Sequence, residues 1–459
     1  MRQHINEINS YPCGRPRQRR TSLTAYMLLF VLGACPTLAQ DRSIVPFKDA
    51  GTVGVFPSQQ QTQATPPKLI TITDAVSIFL QQNLQLVAAR YDIDTADAEK
   101  LTARLRPNPQ VTIASSGLPL KFNGPFFTQQ TFAYNISQDF ELGGKRQKRI
   151  SVADANSEVA RAQFQIVVWQ LTNDLKKKFY TVLLTRSLLD LSRENEKTFA
   201  EIVQHTTDVF KSGEISGLDL QRLEVEKLKF DTDLANSERD YELALRDLRV
   251  TLGGDYRAMD VEAAGAMDYY QSYDFIFADL RDKALAARPD LKAAQLSERA
   301  ADASILLQDA QRIPDVTLTG GVNQVPGGVS NYNLGVGVTL PTSDRNQGER
   351  AKARIEKKKA QNQQALITNQ VLSDVDKALI AFNIQKRRVE LYRTGVLKKV
   401  TDIQTATEFA LKVGESSILE LLDAIRTRRD TLAGFYQAIF DYESALLDLE
   451  LATATTLQK

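Results

Sequence analysis

The chain has 459 residues, of which 43% are hydrophobic and 25% charged, and its formal net charge is +1. This composition is ordinary for a folded, water-exposed protein. Five Arg and one Glu lie between Met1 and Ala39, so the chain from Gln40 onward carries a net charge of −3. It shows no basic stripe of the kind that nucleic-acid binders carry, which argues against that function class.

The N-terminus has the pattern of an export signal. A basic segment from Arg15 to Arg20 precedes a largely apolar run from Leu23 to Ala34, which is too short to span a bilayer. Thr37-Leu38-Ala39 offers small residues for cleavage before Gln40, which predicts a signal peptide over 1–39. Leu32 to Cys35 resembles a lipobox, so lipidation of Cys35 is the alternative. Beyond residue 40 no run of 18 apolar residues occurs, and no transmembrane helix is predicted.

Metal, cofactor and catalytic motifs are missing from the mature sequence. His205 is the only His after the leader, and we expect it to be a solvated helix residue. One His and no Cys beyond Cys35 predict no metal site and no disulfide. No nucleophile–base pair and no phosphate-binding loop occurs, so no enzyme activity and no cofactor are predicted.

The mature chain contains two copies of one unit. Residues 40–68 hold Pro66-Pro67 and a Gln-rich stretch, which predict an extended tail without regular structure. Ordered structure is expected to begin near Leu69, with Thr73 or Asp74 as a helix N-cap. Residues 106–113 match 312–318, and residues 240–248 match 441–449. These offsets of about 200 residues predict a first repeat over 69–270 and a second over 271–459.

Each unit is predicted to run helix, two strands, very long helix, glycine turn, helix. The first helix, from about 73 to 106, ends at Pro107. Alternating apolar and polar residues predict strands at about 110–118, 131–140, 315–323 and 331–340. Residues 145–211 and 349–394 contain no Pro or Gly. The first of these stretches predicts a helix about 100 Å long, as in a coiled coil or tube wall. Gly395 is expected to relax the second.

Strands with one apolar face are difficult to place on a long helical rod in water, because they would expose that face and their edges. In a bilayer, strands survive only as a closed barrel. Four strands per chain cannot close one, so two to four chains must cooperate. Soluble hairpins packed on helices are the alternative.

Taken together, the export signal, the doubled unit, the hairpins and the glycine tips resemble the TolC family of outer-membrane efflux proteins from about Leu69 to Ala454. Residues 140–146 and 340–348 resemble the branch that serves heavy-metal (cobalt–zinc–cadmium type) RND pumps. The resemblance implies a mainly α fold with a small β part. A homotrimer would build a 12-stranded transmembrane β-barrel in outer-membrane lipid and an α-helical barrel in the periplasm. It also implies an adaptor and an inner-membrane RND pump as partners.

The two helix-to-helix turns, at residues 211–216 and 412–417, are the candidate tips. Gly213 and Gly414 allow the left-handed conformation that often ends a helix, and Ser216 or Ser417 can cap the returning helix. The resemblance makes the tips the adaptor-docking surface, represented by Gly213, Glu214, Gly414 and Glu415.

Three acidic residues follow the tips. Glu420 and Asp423 lie three residues apart and so share a helix face. The resemblance implies that they form rings at the periplasmic aperture, and that Asp219 belongs to the gate latch. The partners of that latch in the family are a Tyr and an Arg, whereas this chain has Leu411 and Ser416. The latch therefore departs from the family pattern.

The predicted function is a passive exit duct of a tripartite efflux system for metal cations or small toxic molecules. The alternatives are a periplasmic adaptor (membrane-fusion) protein, which also has long helical hairpins, and a duct for type I protein secretion. The doubled unit argues against the adaptor, while the sequence leaves the cargo open.

Overall fold

The computed structural model describes residues 68–117, 130–213, 215–255, 260–267, 270–326, 328–413 and 415–457. The predicted signal peptide, Cys35 and the tail up to residue 67 lie outside these ranges and stay predictions. Lys68, the last residue of that predicted tail, already belongs to the first strand.

The elements follow one another in a doubled order. The first series is β1 (Lys68–Ile70), α1 (Ile72–Gln82), α2 (Leu84–Arg104), β2 (Gln110–Ser116), β3 (Thr131–Phe140), α3 (Lys145–Lys211) and α4 (Gly217–Leu252). The second is β4 (Val261–Ala263), α5 (Phe277–Ala287), α6 (Pro289–Gln311), β5 (Val316–Gln324), β6 (Ser330–Val338), α7 (Gln347–Arg393), α8 (Val396–Lys412) and α9 (Ile418–Thr453). The helix over 145–211 and the four long strands are confirmed, the strands to within about two residues.

The predicted helix over 73–106 is wrong, because Asn83 divides it into α1 and α2. Asn83 has extended backbone angles, and its Oδ1 accepts hydrogen bonds from the backbone N–H groups of Gln85 and Leu86. Its Nδ2 donates to the carbonyl of Thr251 at 2.7 Å. The long-range bond to α4 compensates for the interruption. The local signal was Asn83 itself, because Asn is a favoured N-cap residue.

The predicted N-cap at Thr73 or Asp74 is also wrong by a few residues. Thr71 is the cap: its side chain accepts from the Asp74 N–H, and the Asp74 carboxylate accepts from the Thr71 N–H at 3.0 Å. This reciprocal arrangement is a capping box.

Gly395 has a stronger effect than the predicted relaxation of one helix. Around Gly395, which has φ 97°, α7 ends at Arg393 and α8 begins at Val396.

Four strands form one antiparallel sheet in the order β2-β3-β5-β6, and β1 pairs with β4 in a separate parallel ribbon. Gln110, Phe140, Val316 and Val338 lie towards the same end of the large sheet, where all four strands connect to helices.

The helices pack side by side in the same order as the strands. Next to the sheet, α3 packs between α2 and α6, and α6 packs against α7. Towards the tips, α3 packs between α4 and α9, and α9 packs against α8. The outer elements are therefore α2 and α7 near the sheet, and α4 and α8 near the tips.

The main hydrophobic core lies midway along α3, where α1, α5, α7 and α9 also contribute side chains. Arg288 connects these helices: it is 7% exposed, donates to Asp290 and Asp374, and its guanidinium lies over the ring of Trp169. Glu443 of α9 is buried in the same region. Burial raises its pKa to about 7, a hydrogen bond with Tyr180 opposes the rise, and the Glu450 carboxylate adds to it.

Glu443→Gln should stabilise the protein at neutral pH. The folded-state pKa of Glu443, about 7, lies above the ordinary value of 4.5, so the folded state binds extra protons between those pH values. The contribution of this group to the free energy of unfolding therefore falls as pH rises through the window, by about 3 kcal/mol in all. Thermal unfolding should give the variant a higher Tm than wild type at pH 8 and nearly the same Tm at pH 4.5. Glu242→Gln, at an exposed position, is the matched control; a Tm difference independent of pH would contradict the prediction.

Candidate functional site

One face of the four-stranded sheet is apolar and exposed. Residues directly opposite in an antiparallel register share a face. Val111, Ile136, Gly320 and Leu334 form one such row, and Ile113, Tyr134, Val322 and Tyr332 form the next. Leu334 is 92% exposed and Tyr332 is 89% exposed. Exposed apolar side chains at this density indicate a surface that something other than water covers.

The opposite face of the sheet is polar and closely packed. Thr112, Asn135, Gly321 and Asn333 share one row of it. Asn333 Nδ2 donates to Asn135 Oδ1 at 3.0 Å and to Asn323 Oδ1 at 2.9 Å. A Cβ at Gly321 would meet the Tyr134 carbonyl oxygen at 2.4 Å, so no larger residue fits there without displacing the backbone. The two faces confirm the alternation that the sequence predicts.

Both edges of this sheet are open. β2 and β6 each pair with a single neighbour within the described part of the chain. Each edge therefore presents unpaired backbone N–H and C=O groups to whatever lies next to it. The exposed face and the open edges belong to the same strands.

The first tip has the predicted turn. α3 ends at Lys211, and Gly213, with φ 85°, donates its N–H to the Phe210 carbonyl at 2.9 Å. Ser216 caps α4 by accepting from the Leu218 N–H. Glu214 lies outside the described residues, and so does the side chain of Asp219, whose backbone belongs to the first turn of α4.

The second tip links α8 to α9. Gly414 lies outside the described residues, whereas Glu415 is exposed and its N–H donates to the Ala410 carbonyl at 2.8 Å. Ser417 caps α9, as predicted, by accepting from the Glu420 N–H.

Glu420 has a structural role that the sequence interpretation missed. Its Oε2 accepts from Ser416 Oγ at 2.5 Å and from the Ser417 N–H at 3.0 Å, completing a capping box. The hydrogen bond from Ser416 makes the largest contribution to lowering the pKa of Glu420, and the bond from the Ser417 N–H makes the next largest. The Ser-x-x-Glu spacing from Ser417 to Glu420 would have indicated this role. Asp423 is exposed and has no hydrogen bond or ion pair with any described residue.

Leu411, at the position that the sequence resemblance assigns to a latch Tyr, lies against a hydrophobic cluster between the helices behind the two tips. This tip cluster consists of Phe199, Leu223, Phe230, Leu421, Leu422 and Ile425. The rings of Phe199 and Phe230 stack at 4.6 Å. Because α3, α4 and α9 all contribute, the cluster packs the helices behind the first tip against the helix that follows the second.

Ion pairs between α9 and the first hairpin surround the tip cluster. Arg426 contacts Glu226 through Nε at 3.1 Å and Nη2 at 2.5 Å. Arg428 pairs with Glu194 at 2.9 Å, and Arg429 pairs with Asp233 at 3.0 Å. Burial acts to raise the pKa of Glu226, but hydrogen bonds from Arg426 and Lys229 lower it overall. Each pair joins a residue of the second repeat to one of the first, so no local spacing could have indicated it.

Neither a metal site nor a membrane-spanning helix is present in the described ranges. No group of three His, Cys, Asp or Glu residues there could hold a metal ion. None of the described helices combines the length and the apolarity that crossing a bilayer requires. His205 is exposed on α3, as predicted.

Replacing Arg426 should loosen the contact between the two tips. Arg426→Met leaves the mostly buried Glu226 with Lys229 as its only partner among the described residues, which should cost about 1–2 kcal/mol locally. Hydrogen–deuterium exchange should become faster in the peptides that cover the starts of α4 and α9. Lys399→Met, which removes an exposed Lys of α8, should leave that exchange unchanged. Equal exchange in both variants would show that the ion pair does not hold the tips together.

Three comparisons relate this geometry to known proteins. The family model described as "Outer membrane efflux protein" matches residues 75–254 and 280–455. The cobalt-zinc-cadmium resistance protein CzcC of Cupriavidus metallidurans is 25% identical over 403 residues, covering 87% of this chain and 93% of the relative. The probable outer membrane lipoprotein SilC of Salmonella typhimurium is 23% identical over 95% of this chain and 98% of its own length. The CmeC outer membrane channel of Campylobacter jejuni shares the fold, with a TM-score of 0.70 at 15% identity, covering 83% of this chain and 85% of its own.

Proposed function

Since the chain belongs to the outer membrane efflux protein family, we propose that it acts as one subunit of a homotrimeric exit duct. Family membership makes it an outer membrane efflux channel of a tripartite system and excludes the periplasmic adaptor interpretation. In the proposal, the four-stranded sheets of three chains join into a 12-stranded barrel in the outer membrane. The helices form a continuous tube in the periplasm.

The observation that carries this proposal is the sheet with one exposed apolar face and two open edges. Lipid would cover the face, and the β6 edge of one chain would pair with the β2 edge of the next. Neighbouring strands in the sheet alternate in direction, so pairing at each junction is antiparallel and the ring closes without a mismatch.

The helices support the same closure. Inner helices expose few large apolar side chains: Phe210 on α3, Leu306 on α6 and Leu419 on α9. Outer helices expose many more: Leu84, Val87, Tyr91 and Leu101 on α2; Ile355, Leu366, Ile380, Ile384 and Leu391 on α7; Leu218, Val225, Leu228, Leu243 and Val250 on α4; and Val396, Ile403 and Phe409 on α8. Lateral packing between neighbouring chains would bury these side chains.

The tips are the proposed contact with the other members of the system. Gly213, Glu214, Gly414 and Glu415 would meet a periplasmic adaptor, which connects the duct to an inner-membrane RND pump. The name of CzcC, a cobalt-zinc-cadmium resistance protein, favours metal cations as cargo. No selective metal site is proposed on this chain, so the pump would choose the cargo and the duct would conduct it passively.

Asp423, with Glu420 and Asp219, is the proposed acidic lining of the aperture. Asp423 is the strongest of the three candidates, because its carboxylate is exposed and has no described partner. Threefold symmetry would place three copies around a narrow opening and concentrate negative potential there.

A charge on the apolar face should block assembly in the membrane. Leu334→Arg places a guanidinium where the proposal puts lipid, at a cost of about 2–4 kcal/mol per subunit. Heat-modifiable trimers in outer-membrane fractions should be lost. Asn331→Arg puts the same charge on the opposite face of β6 and should retain the trimers. If Leu334→Arg assembles as well as Asn331→Arg, or if the wild-type mature chain is a soluble monomer, the proposal is wrong.

Neutralising Asp423 should reduce cation selectivity severalfold. Asp423→Asn is a cleaner test than a change at Glu420, because Glu420 also caps α9. The ratio of potassium to chloride permeability in planar bilayers should fall. Asp402→Asn, at an exposed position of α8, should leave the ratio unchanged. If Asp423→Asn channels of normal conductance keep the wild-type selectivity, the proposal that Asp423 lines the aperture is wrong.

A further inference from the structure

A band of basic residues lies at the end of the sheet where the strands connect to the helices. This junction band comprises residues 104–109, 139–150, 309–315 and 339–354. It holds eleven Lys and Arg residues against six Asp and Glu residues. The chain after the predicted leader has an acidic excess, so positive charge is concentrated here rather than spread along the molecule.

The strand register brings the four segments of the junction band together. Phe140 lies opposite Val316, and Val316 lies opposite Val338. β2 begins at Gln110, opposite Ser137 near the end of β3. Residues that are far apart in the sequence therefore form one belt directly next to the apolar face.

The acidic side chains of the junction band already have partners. Glu141 pairs with Arg149 at 2.6 Å, Asp315 with Lys145 at 2.8 Å, and Asp309 with Arg350 at 2.5 Å. The three further acids also have polar contacts: Asp139 with the Thr317 hydroxyl, Asp344 with the Asn346 N–H, and Glu349 with Lys352. The local carboxylates are thus largely occupied within the fold.

Several cations of the junction band remain without a carboxylate. Arg106, Arg312 and Arg354 are exposed, Lys148 is half-buried, and none of the four forms an ion pair with a described residue. They form the cationic surface of the band that the fold itself does not neutralise.

Apolar side chains are interleaved with these cations. Leu105, between Arg104 and Arg106, is 65% exposed, and Leu340 is 74% exposed. A charged surface that faces only water gains no stability from exposed leucines. Cations alternating with apolar side chains suit the boundary between hydrocarbon and water, where Arg and Lys extend their charged ends to the headgroups.

We propose that the junction band binds the headgroups of anionic phospholipids in the leaflet at the helical end of the sheet. The proposal rests on the proposed function, because it requires the apolar face of the sheet to lie in a membrane. Attraction between the unpaired cations and the lipid phosphates would fix the depth of the sheet in the bilayer.

The test measures lipid retention by the full mature chain. Purified trimers in a neutral detergent are offered equal amounts of phosphatidylglycerol and phosphatidylcholine, and native mass spectrometry counts the lipids that each trimer keeps. Wild type should retain phosphatidylglycerol in preference, less so at high salt. An excess of inorganic phosphate should not displace it, because the surface binds headgroups anchored beside the apolar face.

The band variant should retain at least about fivefold less phosphatidylglycerol than wild type. It combines Arg106→Gln, Lys148→Gln, Arg312→Gln and Arg354→Gln. The control variant removes the same charge from other helices and should retain as much as wild type. It combines Lys197→Gln, Lys283→Gln, Lys398→Gln and Lys399→Gln. The trimer mass in the same spectra reports assembly. A loss of lipid binding by the junction band is therefore distinguishable from a failure of the duct to assemble. If the fourfold variant does not assemble, Arg106→Gln and Arg312→Gln are measured singly. Equal retention by the band and control variants, no preference over phosphatidylcholine, or displacement by phosphate would overturn the proposal.

Discussion

The outer edges of β2 and β6, which have no strand partner within the described part of the chain, are the constraint on which the rest of the molecule depends. A sheet with two open edges and one apolar face is stable neither in water nor alone in lipid. Identical copies joined edge to edge remove both problems at once, since every edge gains a partner and the apolar face turns towards lipid. The proposed duct of several chains would meet this constraint, because the four strands of one chain cannot close a barrel.

The helices pack in the same order as the strands because the connections at the junction are short and rigid. Gly143 and Gly144 both have φ 70°, and a Cβ at Gly143 would meet Ile313 Cδ1 at 2.6 Å. The Leu142 N–H and Lys145 both contact the Asp315 carboxylate, tying the β3–α3 connection to the start of β5. Since four to eight residues link each strand to a helix at this end, α2 and α7 lie beside the edges that β2 and β6 leave open. Sheet and helix layer can therefore close through one arrangement of subunits.

The polar chemistry differs between the two ends of the long helices. At the junction, the carboxylates are held in ion pairs or hydrogen bonds, and several cations remain without a carboxylate among the described residues. At the tips, arginines of α9 are held by Glu194, Glu226 and Asp233, while Asp423 remains exposed. Free charge of opposite sign at the two ends is what the proposed lipid contact at one end and the proposed acidic aperture at the other require.

The sequence alone determined the elements that a local pattern specifies. Period-two alternation placed the strands, the absence of Pro and Gly gave the bounds of α3, and Gly213, Ser216 and Ser417 marked the tips. The break at Asn83, the capping box of Glu420 and the pairing of Glu226 with Arg426 were not predicted. The aperture role of Asp219, Glu420 and Asp423, the docking role of Gly213, Glu214, Gly414 and Glu415, and the lipidation of Cys35 all remain predictions. The Glu420 capping box is local, and its Ser-x-x-Glu spacing could have been recognised in the sequence. The Asn83 cap is local as well, whereas the bond from Asn83 to Thr251 and the pairing of Glu226 with Arg426 join residues far apart in the sequence, which only the packed chain brings together. Tertiary structure decided which charges are neutralised and which remain free, because the energy of a charge depends on the partners and solvent around it rather than on its neighbours in sequence.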